Sequence, residues 1–334
     1  MSRKGVWTLQ DVRDKYLSSL WIDSYSCWGW GQNNEGEAGT PSWGIQRSSP
    51  VQVTDTPDFA DIVKMGSNGS GGAIIRDSGA LHSWGRNQYG NLGHGDRSDR
   101  NGAYSIPGTK DWTDVSTCSV LYGDNQIATR QDGTLWTWGN NNYGQLGVNY
   151  RTLRSSPVQI GTETTWGGMK SAATGQYYSG AIKSDGTLWM WGRNDQNGQL
   201  GQGNQTHYSS PVQIPGTSWD QIVIGTNTVH ATRTDGTLWA WGSNYDGRLG
   251  TNNNNQYSSP YQIPGTDWKT GERGVIAANV SVAAAVRTDS TLWIWGQNGA
   301  GRLGLNQPSA PTSYSSPKQI PGSWSKVFGG VYSM

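Results

Sequence analysis

One dipeptide recurs along the chain at nearly constant spacing, and that spacing restricts the fold more than any other property. Trp-Gly occurs at Trp30-Gly31, Trp84-Gly85, Trp138-Gly139, Trp191-Gly192, Trp241-Gly242 and Trp295-Gly296, at intervals of 54, 54, 53, 50 and 54 residues. In five of the six copies a second Trp stands two positions earlier, as in Leu188-Trp189-Met190-Trp191. A period of this length marks a stacked or radial array of one supersecondary unit. Alternation with period two makes the Trp pair one face of a strand, so the unit is β rather than helical.

Each unit carries the same signals in the same order. An aromatic opens a short apolar segment (Trp112, Trp166, Trp219, Trp268, Trp324, with Phe59 in the earliest full copy). A strand of small and branched residues follows, such as Ala283-Ala284-Ala285-Val286, and then an Asp-Gly turn at Asp132, Asp185 and Asp235. Asp-Gly between two strands predicts a hairpin of type I′, with positive φ at both central residues. The Trp strand comes next, then a Gly-rich turn, then Ser-Ser-Pro opening a last strand, where proline suits a sheet edge. Four short antiparallel strands per fifty residues describe a propeller blade. The hydrophobic fraction is only 33%, but 19 Trp and 15 Tyr compensate, each buried ring removing roughly 150–250 Å² from water.

The fold expected is therefore all-β: a single β-propeller of six four-stranded blades over residues 20–334, seven being the less favoured count. Trp324 to Gly329 reads as the opening strand of a further repeat, while Leu20-Trp21-Ile22 and Cys27 to Trp30 read as later strands of one. One blade is thus expected to be closed by both termini, which removes an open sheet edge. Residues 1–19 form a separate N-terminal segment. Thr8-x-x-Asp11 resembles a helix-capping box, and Leu9, Val12, Tyr16, Leu17 and Leu20 fall on one helical face. The segment is either a plug on the propeller or an assembly anchor built on Trp7, Leu9, Val12, Tyr16 and Leu17.

The run Asp-Gly-Thr-Leu-Trp-x-Trp-Gly-x-Asn-x-x-Gly-x-Leu-Gly resembles the repeat of the regulator of chromosome condensation family. Asp132 to Gly147 and Asp235 to Gly250 carry it nearly intact, Asp185 to Gly201 with one extra residue, and Asp289 to Gly304 with Ser290 in place of the turn Gly. The resemblance implies a propeller, in this family usually of seven blades. It also implies function through binding: the best-known member promotes nucleotide exchange on a small nuclear GTPase, and others are binders, including an extracellular β-lactamase inhibitor. The exchange factor's wedge insertion and basic tails have no counterpart in units of this spacing. Gly5-Val6-Trp7-Thr8-Leu9-Gln10 is similar to openings of structural proteins of tailed bacteriophages.

Motifs for catalysis are missing from the sequence. His82, His94, His207 and His230 lack metal-ligand spacing, and the Gly-x-x-x-x-Gly runs lack the Lys-Ser/Thr of a phosphate loop. No cofactor motif occurs. The turn aspartates Asp132, Asp185, Asp235 and Asp289 repeat with the blade and read as scaffold. Cys27 and Cys118 read as free thiols. A net charge of +1 argues against a nucleic-acid partner, and no segment is long and apolar enough for membrane insertion. The basic start is followed by Asp11, Arg13, Asp14 and Lys15, so no export signal is expected.

Binding is expected where the copies differ. The stretches 43–47, 94–100, 150–154, 252–256 and 306–314 lie between the Trp strand and the last strand, and a propeller places them on one rim. They hold the candidate partner-binding residues Trp43, Arg47, His94, Arg97, Arg100, Tyr150, Arg151, Arg154, Asn253 and Tyr314; tolerated loop variation is the alternative. The first reading of function is an exposed virion component: a tail, fibre or capsid-surface protein that contacts other subunits of a virus particle and a host surface receptor or glycan. The alternative is a cytoplasmic protein-binding regulator, for example of a small GTPase.

Overall fold

The computed structural model describes residues 28–328, apart from 32, 41–43, 46, 54–61, 69–70, 109, 118–123, 167–171, 196, 273 and 307–311. The N-terminal segment with Trp7, Leu9, Val12, Tyr16 and Leu17, together with Phe59, Cys27 and Cys118, lies outside the described residues.

Five four-stranded antiparallel sheets follow one another along the chain, each a meander whose strand order equals sequence order. Blade I comprises β3 (Ile62–Asn68), β4 (Gly71–Arg76), β5 (Leu81–Gly85) and β6 (Arg100–Ser105). Blade II comprises β7 (Trp112–Thr117), β8 (Asn125–Arg130), β9 (Leu135–Gly139) and β10 (Arg154–Gln159). Blade III runs through β11 (Ala172–Thr174), β12 (Tyr178–Ile182), β13 (Leu188–Gly192) and β14 (Tyr208–Gln213). Blade IV contains β15 (Trp219–Ile224), β16 (Thr228–Arg233), β17 (Leu238–Gly242) and β18 (Tyr257–Ile263). Blade V contains β19 (Ile276–Ala278), β20 (Val282–Val286), β21 (Leu292–Gln297) and β22 (Ser313–Ile320).

A two-stranded sheet of β1 (Trp28–Gly31) and β2 (Arg47–Gln52) precedes them and corresponds to the last two strands of a blade. Trp324 donates its backbone N–H to Ser290 O (2.8 Å), as Trp112, Trp166, Trp219 and Trp268 do to Gly79, Gly133, Gly186 and Gly236. It therefore enters a further blade position, although residues 324–328 form no strand. Closure by both termini involves residues 20–27 and 329–334, outside the described residues.

The core lies between blades, not within them. Ile182, Met190, Leu200 and Ile214 of blade III pack with Trp219, Ile222, Val229 and Trp241 of blade IV. Leu238, Leu249 and Ile263 of blade IV pack in turn with Trp268, Ile276 and Trp295 of blade V. This explains how so few aliphatic residues suffice: one Trp strand fills the seam on the side of the preceding blade.

The Trp of each Trp-Gly also clasps the preceding unit by a hydrogen bond. The indole Nε1 of Trp84, Trp138, Trp191, Trp241 and Trp295 donates to the carbonyls of Glu37 (3.2 Å), Asn91 (2.9 Å), Gln145 (2.9 Å), Gln199 (3.0 Å) and Arg248 (3.1 Å). The last glycine of Gly-x-Leu-Gly lies beneath this indole. At Gly147 (φ +70°) a Cβ would stand 2.8 Å from Trp191 Nε1, and at Gly250 (φ +71°) 2.8 Å from Trp295 Nε1. The loop asparagine is committed as well: Asn141 Oδ1 accepts the Leu146 N–H (3.0 Å), and Asn244 Oδ1 that of Leu249 (2.9 Å).

The Asp-Gly hairpins differ from the type I′ expectation. Positive φ occurs at Gly133, Gly186 and Gly236 but not at the preceding aspartates. Gly133 N–H bonds to Arg130 O and Arg130 N–H to Thr134 O, which is a type I turn followed by a left-handed bulge residue. The aspartate selects this geometry, because Asp132 Oδ1 accepts both the Thr134 N–H (2.9 Å) and its hydroxyl (2.7 Å). The Thr134 hydroxyl in turn accepts Trp136 Nε1 (2.7 Å). Asp185, Asp235 and Asp289 repeat the arrangement with Thr187, Thr237 and Thr291. These hydrogen bonds hold the four carboxyls below the usual carboxylate range, with the Thr hydroxyl the largest cause.

Candidate interaction face

Strand direction places two sets of loops at one end of every blade. Thr117 pairs with Gln126, Asn125 with Gly139, and Arg154 with Gly139, so the first and third connections of blade II share an end. The Asp-Gly hairpins occupy the opposite end. The end bearing the long third connections is called the top face below.

On the top face the long connections are tied into a belt. Gly95 N–H bonds to Ser155 O (2.8 Å), Asn149 N–H to Ser209 O (2.7 Å), Gly203 N–H to Ser258 O (2.7 Å) and Asn252 N–H to Ser315 O (2.8 Å). Each bond joins one blade's loop to the last strand of the next. These bonds run as a continuous belt over blades I to V, and they set the loop with His94 beside Arg154, and Asn253 beside Tyr314. They do not bring these two pairs together, because the loop of blade III separates them.

Several of the expected rim residues hold their own loops in shape. His94 Nε2 is 3.1 Å from Ser83 Oγ, and burial, reinforced by Arg100, lowers its pKa. Arg97 Nε donates to Gln88 O (2.6 Å). Arg100 opens β6 rather than lying in the loop, and pairs with Asp96 (2.6 Å). Arg154 likewise opens β10, where Nε donates to the Tyr150 hydroxyl (2.8 Å) and the guanidinium lies 4.9 Å from that ring. Asn253 accepts the Asn255 N–H (2.8 Å) and donates to the Tyr257 hydroxyl (3.0 Å). Tyr314, within β22, carries Lys318 at 5.3 Å from its ring. Arg151 is exposed. Arg47 opens β2, where only its backbone is described, and Trp43 lies outside the described residues.

A different group meets on the top face where blades II and III adjoin, with Tyr89 of blade I close enough to act on it. Tyr143, from the Gly-rich turn of blade II, packs against Tyr177 at the entry of β12 (ring centroids 5.0 Å) and against His207 (5.8 Å). Arg193 follows the Trp-Gly of blade III; its guanidinium lies 5.1 Å from the Tyr143 ring and 5.2 Å from the Tyr177 ring, and it pairs with Asp195 at 2.7 Å. Tyr143, Tyr177, Arg193 and His207 are all half-buried. Burial is the main cause that raises the Tyr177 pKa; Tyr143, Tyr89 and Asp124 act in the same direction and Arg193 opposes. Tyr245, 72% exposed, occupies the corresponding turn of blade IV. Partly exposed Tyr and Arg that are already held by neighbours are the composition that dominates binding energy at protein interfaces.

Two buried ionisable groups stand apart from the scaffold hydrogen bonds. Asp124, 3% exposed, precedes β8 and has its Oδ1 buried without a hydrogen-bond partner among the described residues. Burial pushes its carboxyl up to about 6, against the pull of Arg86 and with the help of Glu35. His230, 1% exposed, lies at the seam of blades IV and V with its ring 5.7 Å from Trp295. Burial lowers it to about 4. The Arg248 carbonyl favours the imidazolium, but it already accepts the Trp295 indole, and neither His230 nitrogen reaches hydrogen-bond geometry.

The opposite face has its own repeated device, absent from the sequence reading. Arg130 lies 4.5 Å from Trp112 and 3.8 Å from Trp136, and Arg233 lies 4.3 Å from Trp219 and 4.6 Å from Trp239. Lys183 and Arg287 lie between their Trp pairs in the same way. Arg130, Lys183, Arg233 and Arg287 are thus each engaged by the Trp rings of their own blade.

Comparison with known proteins agrees with this architecture. The RCC1-like domain family matches residues 16–333. The human E3 ubiquitin-protein ligase HERC2 is 26% identical over 205 residues, which is 60% of this chain and 4% of that protein. The ultraviolet-B receptor UVR8 of Arabidopsis thaliana is 32% identical over 193 residues, 54% of this chain and 42% of that one. The chain thus spans less than half the length of these curated relatives. Among solved structures, human WBSCR16 aligns with a TM-score of 0.78 at 21% identity, covering 92% of this chain and 82% of that chain. Prp20p from Saccharomyces cerevisiae, described with its binding to Gsp1p and histones, aligns at 0.73 and 18% identity, covering 90% and 77%. At these identities the structural likeness concerns the fold. Sequence repeat, blade architecture and family match together lead to one conclusion: the chain belongs to the RCC1-like domain family.

Proposed function

We propose that this chain is an intracellular protein-binding regulator that docks a partner protein on its top face. The observation that carries the reading is the half-buried group of Tyr143, Tyr177, Arg193 and His207, where blades II and III adjoin. The repeated polar residues at the opposite end are engaged in turn and cation–Trp contacts, which leaves the top face as the variable, interaction-capable surface. The relatives support binding over catalysis: a receptor and a yeast protein described by what it binds, with a ligase among them whose match to this chain covers only 4% of its length. Regulation of a small GTPase is one form this binding takes in the proposal. The virion reading, with subunits of a virus particle or a host receptor as partners, receives no support from these relatives, and the hexapeptide behind it lies outside the described residues.

The test compares two variants in binding to a partner recovered by proximity labelling. Tyr143→Ala with Tyr177→Ala on the top face should weaken the purified complex by roughly 100-fold, two hot-spot rings being worth about 1–2 kcal/mol or more each. Thr237→Val at the opposite end should leave affinity unchanged. Equal affinity of the top-face variant and the wild type would remove this face from the interaction.

A further inference from the structure

Asp124 has features that the scaffold does not explain. Its backbone is fixed by the blade, the Asn140 N–H bonding to Asp124 O at 2.7 Å. Its Oδ1 is buried and unpaired among the described residues. The charged groups acting on it are Arg86, at the end of blade I, and Glu35, in the loop between β1 and β2. Arg86 is already engaged: its Nε lies 3.2 Å from Glu35 Oε2, and its guanidinium also donates to Gln88. Two carboxylates thus share one guanidinium and leave the cluster with a net negative charge. Arg193, the cation on the Tyr177 ring, is already paired with Asp195 at 2.7 Å. Arg86 and Glu35, on the outer side of the cluster, are 21% and 43% exposed, while Asp124 itself is 3% exposed and lies close enough to Tyr177 to raise its pKa.

We propose that Asp124 receives a basic side chain, a lysine ammonium or an arginine guanidinium, presented by the protein that docks on the top face. The inference rests on the docking reading and specifies the chemistry of the partner. A buried carboxylate whose one countercharge, Arg86, is shared with Glu35 is unfavourable, and an entering cation supplies a partner of its own. One added positive charge also neutralises the excess left by Glu35 and Asp124 over Arg86. Tyr89, Tyr143 and Tyr177 supply ring faces for the alkyl stem and the cation. Binding requires the ionised carboxyl, whose pKa lies at about 6. Affinity for a basic side chain is therefore full above pH 7 and falls roughly tenfold by pH 5, where about one carboxyl in ten remains ionised.

The experiment titrates the full chain with acetylated, amidated Gly-Gly-Lys-Gly-Gly and Gly-Gly-Arg-Gly-Gly, with a norleucine peptide as the uncharged control. Tyrosine-selective NMR shifts report binding. The lysine and arginine peptides should bind at least tenfold more tightly than the norleucine peptide, and roughly tenfold more weakly at pH 5 than at pH 7. Asp124→Asn, which removes the unpaired charge and keeps the shape, should lose at least tenfold. Glu35→Gln, a second variant that leaves Asp124 with Arg86 alone, should lose a smaller factor. No preference for the basic peptides, or an undiminished preference in Asp124→Asn, overturns the proposal. That outcome differs from failure of the docking reading, which is read from the partner's affinity for the Tyr143 and Tyr177 variants.

Discussion

Replacing Asp124 by Asn should stabilise the protein at neutral pH and lose that advantage in acid. The carboxyl titrates at about 6 in the folded chain against 3.8 as the ordinary value. A raised folded pKa means that the folded state holds the proton more tightly than the unfolded chain. The contribution to stability is therefore fully present below pH 3.8 and lost as pH rises through 6. The shift of about 2 pKa units corresponds to about 3 kcal/mol at most, at 1.36 kcal/mol per unit. Asn carries no such penalty. Urea unfolding followed by Trp fluorescence between pH 3.5 and 8 should show the variant more stable than wild type by about 2–3 kcal/mol at pH 8, with the difference closing between pH 6 and 4. Other ionisable groups cancel in this difference if they act independently of Asp124. A pH-independent difference, or a variant less stable at pH 8, would refute the claim that the carboxylate is buried and unpaired.

Three further outcomes follow from the same geometry. His230→Leu should abolish the part of acid destabilisation that His230 causes: with a folded pKa of about 4 against 6.5, its stability is present above pH 6.5 and lost toward pH 4, in total about 3 kcal/mol, measurable in the same titration. Gly147→Ala forces a Cβ into 2.8 Å contact with Trp191 Nε1 at φ +70° and should cost about 2–4 kcal/mol, seen as a lowered denaturation midpoint. The sixth blade is proposed to close from both termini, so deleting residues 324–334 should lower the thermal midpoint or produce oligomers on size exclusion; an unchanged monomer with an unchanged midpoint would place the closure elsewhere.

The period of Trp-Gly made the blades legible, because a side-chain alternation of two and a repeat of fifty leave few architectures. Pro157, Pro211, Pro260 and Pro317 were legible as edge-strand residues, and each lies in the outermost strand of its sheet. The hairpin type was not, since Asp-Gly alone does not reveal that Asp132 would bond Thr134 and take the turn away from type I′. The cation–Trp sandwiches escaped notice although Arg130, Lys183, Arg233 and Arg287 recur at blade spacing; only the packing of first strand on third shows two rings about one cation. Binding residues were expected in the long loops, yet Tyr143 occupies a position within the Gly-rich repeat itself, where blade I carries Tyr89 and the other copies carry Glu35, Asn197, Asp246 or Ala300. Variation inside the repeat was the available signal. Asp124 left none, because its isolation depends on what blades I and III place around it.

The top face, around the junction of blades II and III, is proposed as the surface on which this chain binds another protein. The most direct measurement of this is hydrogen–deuterium exchange of the full chain alone and in the purified complex. The predicted result is protection confined to the top face, in peptides spanning residues 86–99, 140–153 and 175–178, with none in the hairpins at 131–134, 184–187 and 234–237. Protection at those hairpins, with the top face unchanged, would contradict it.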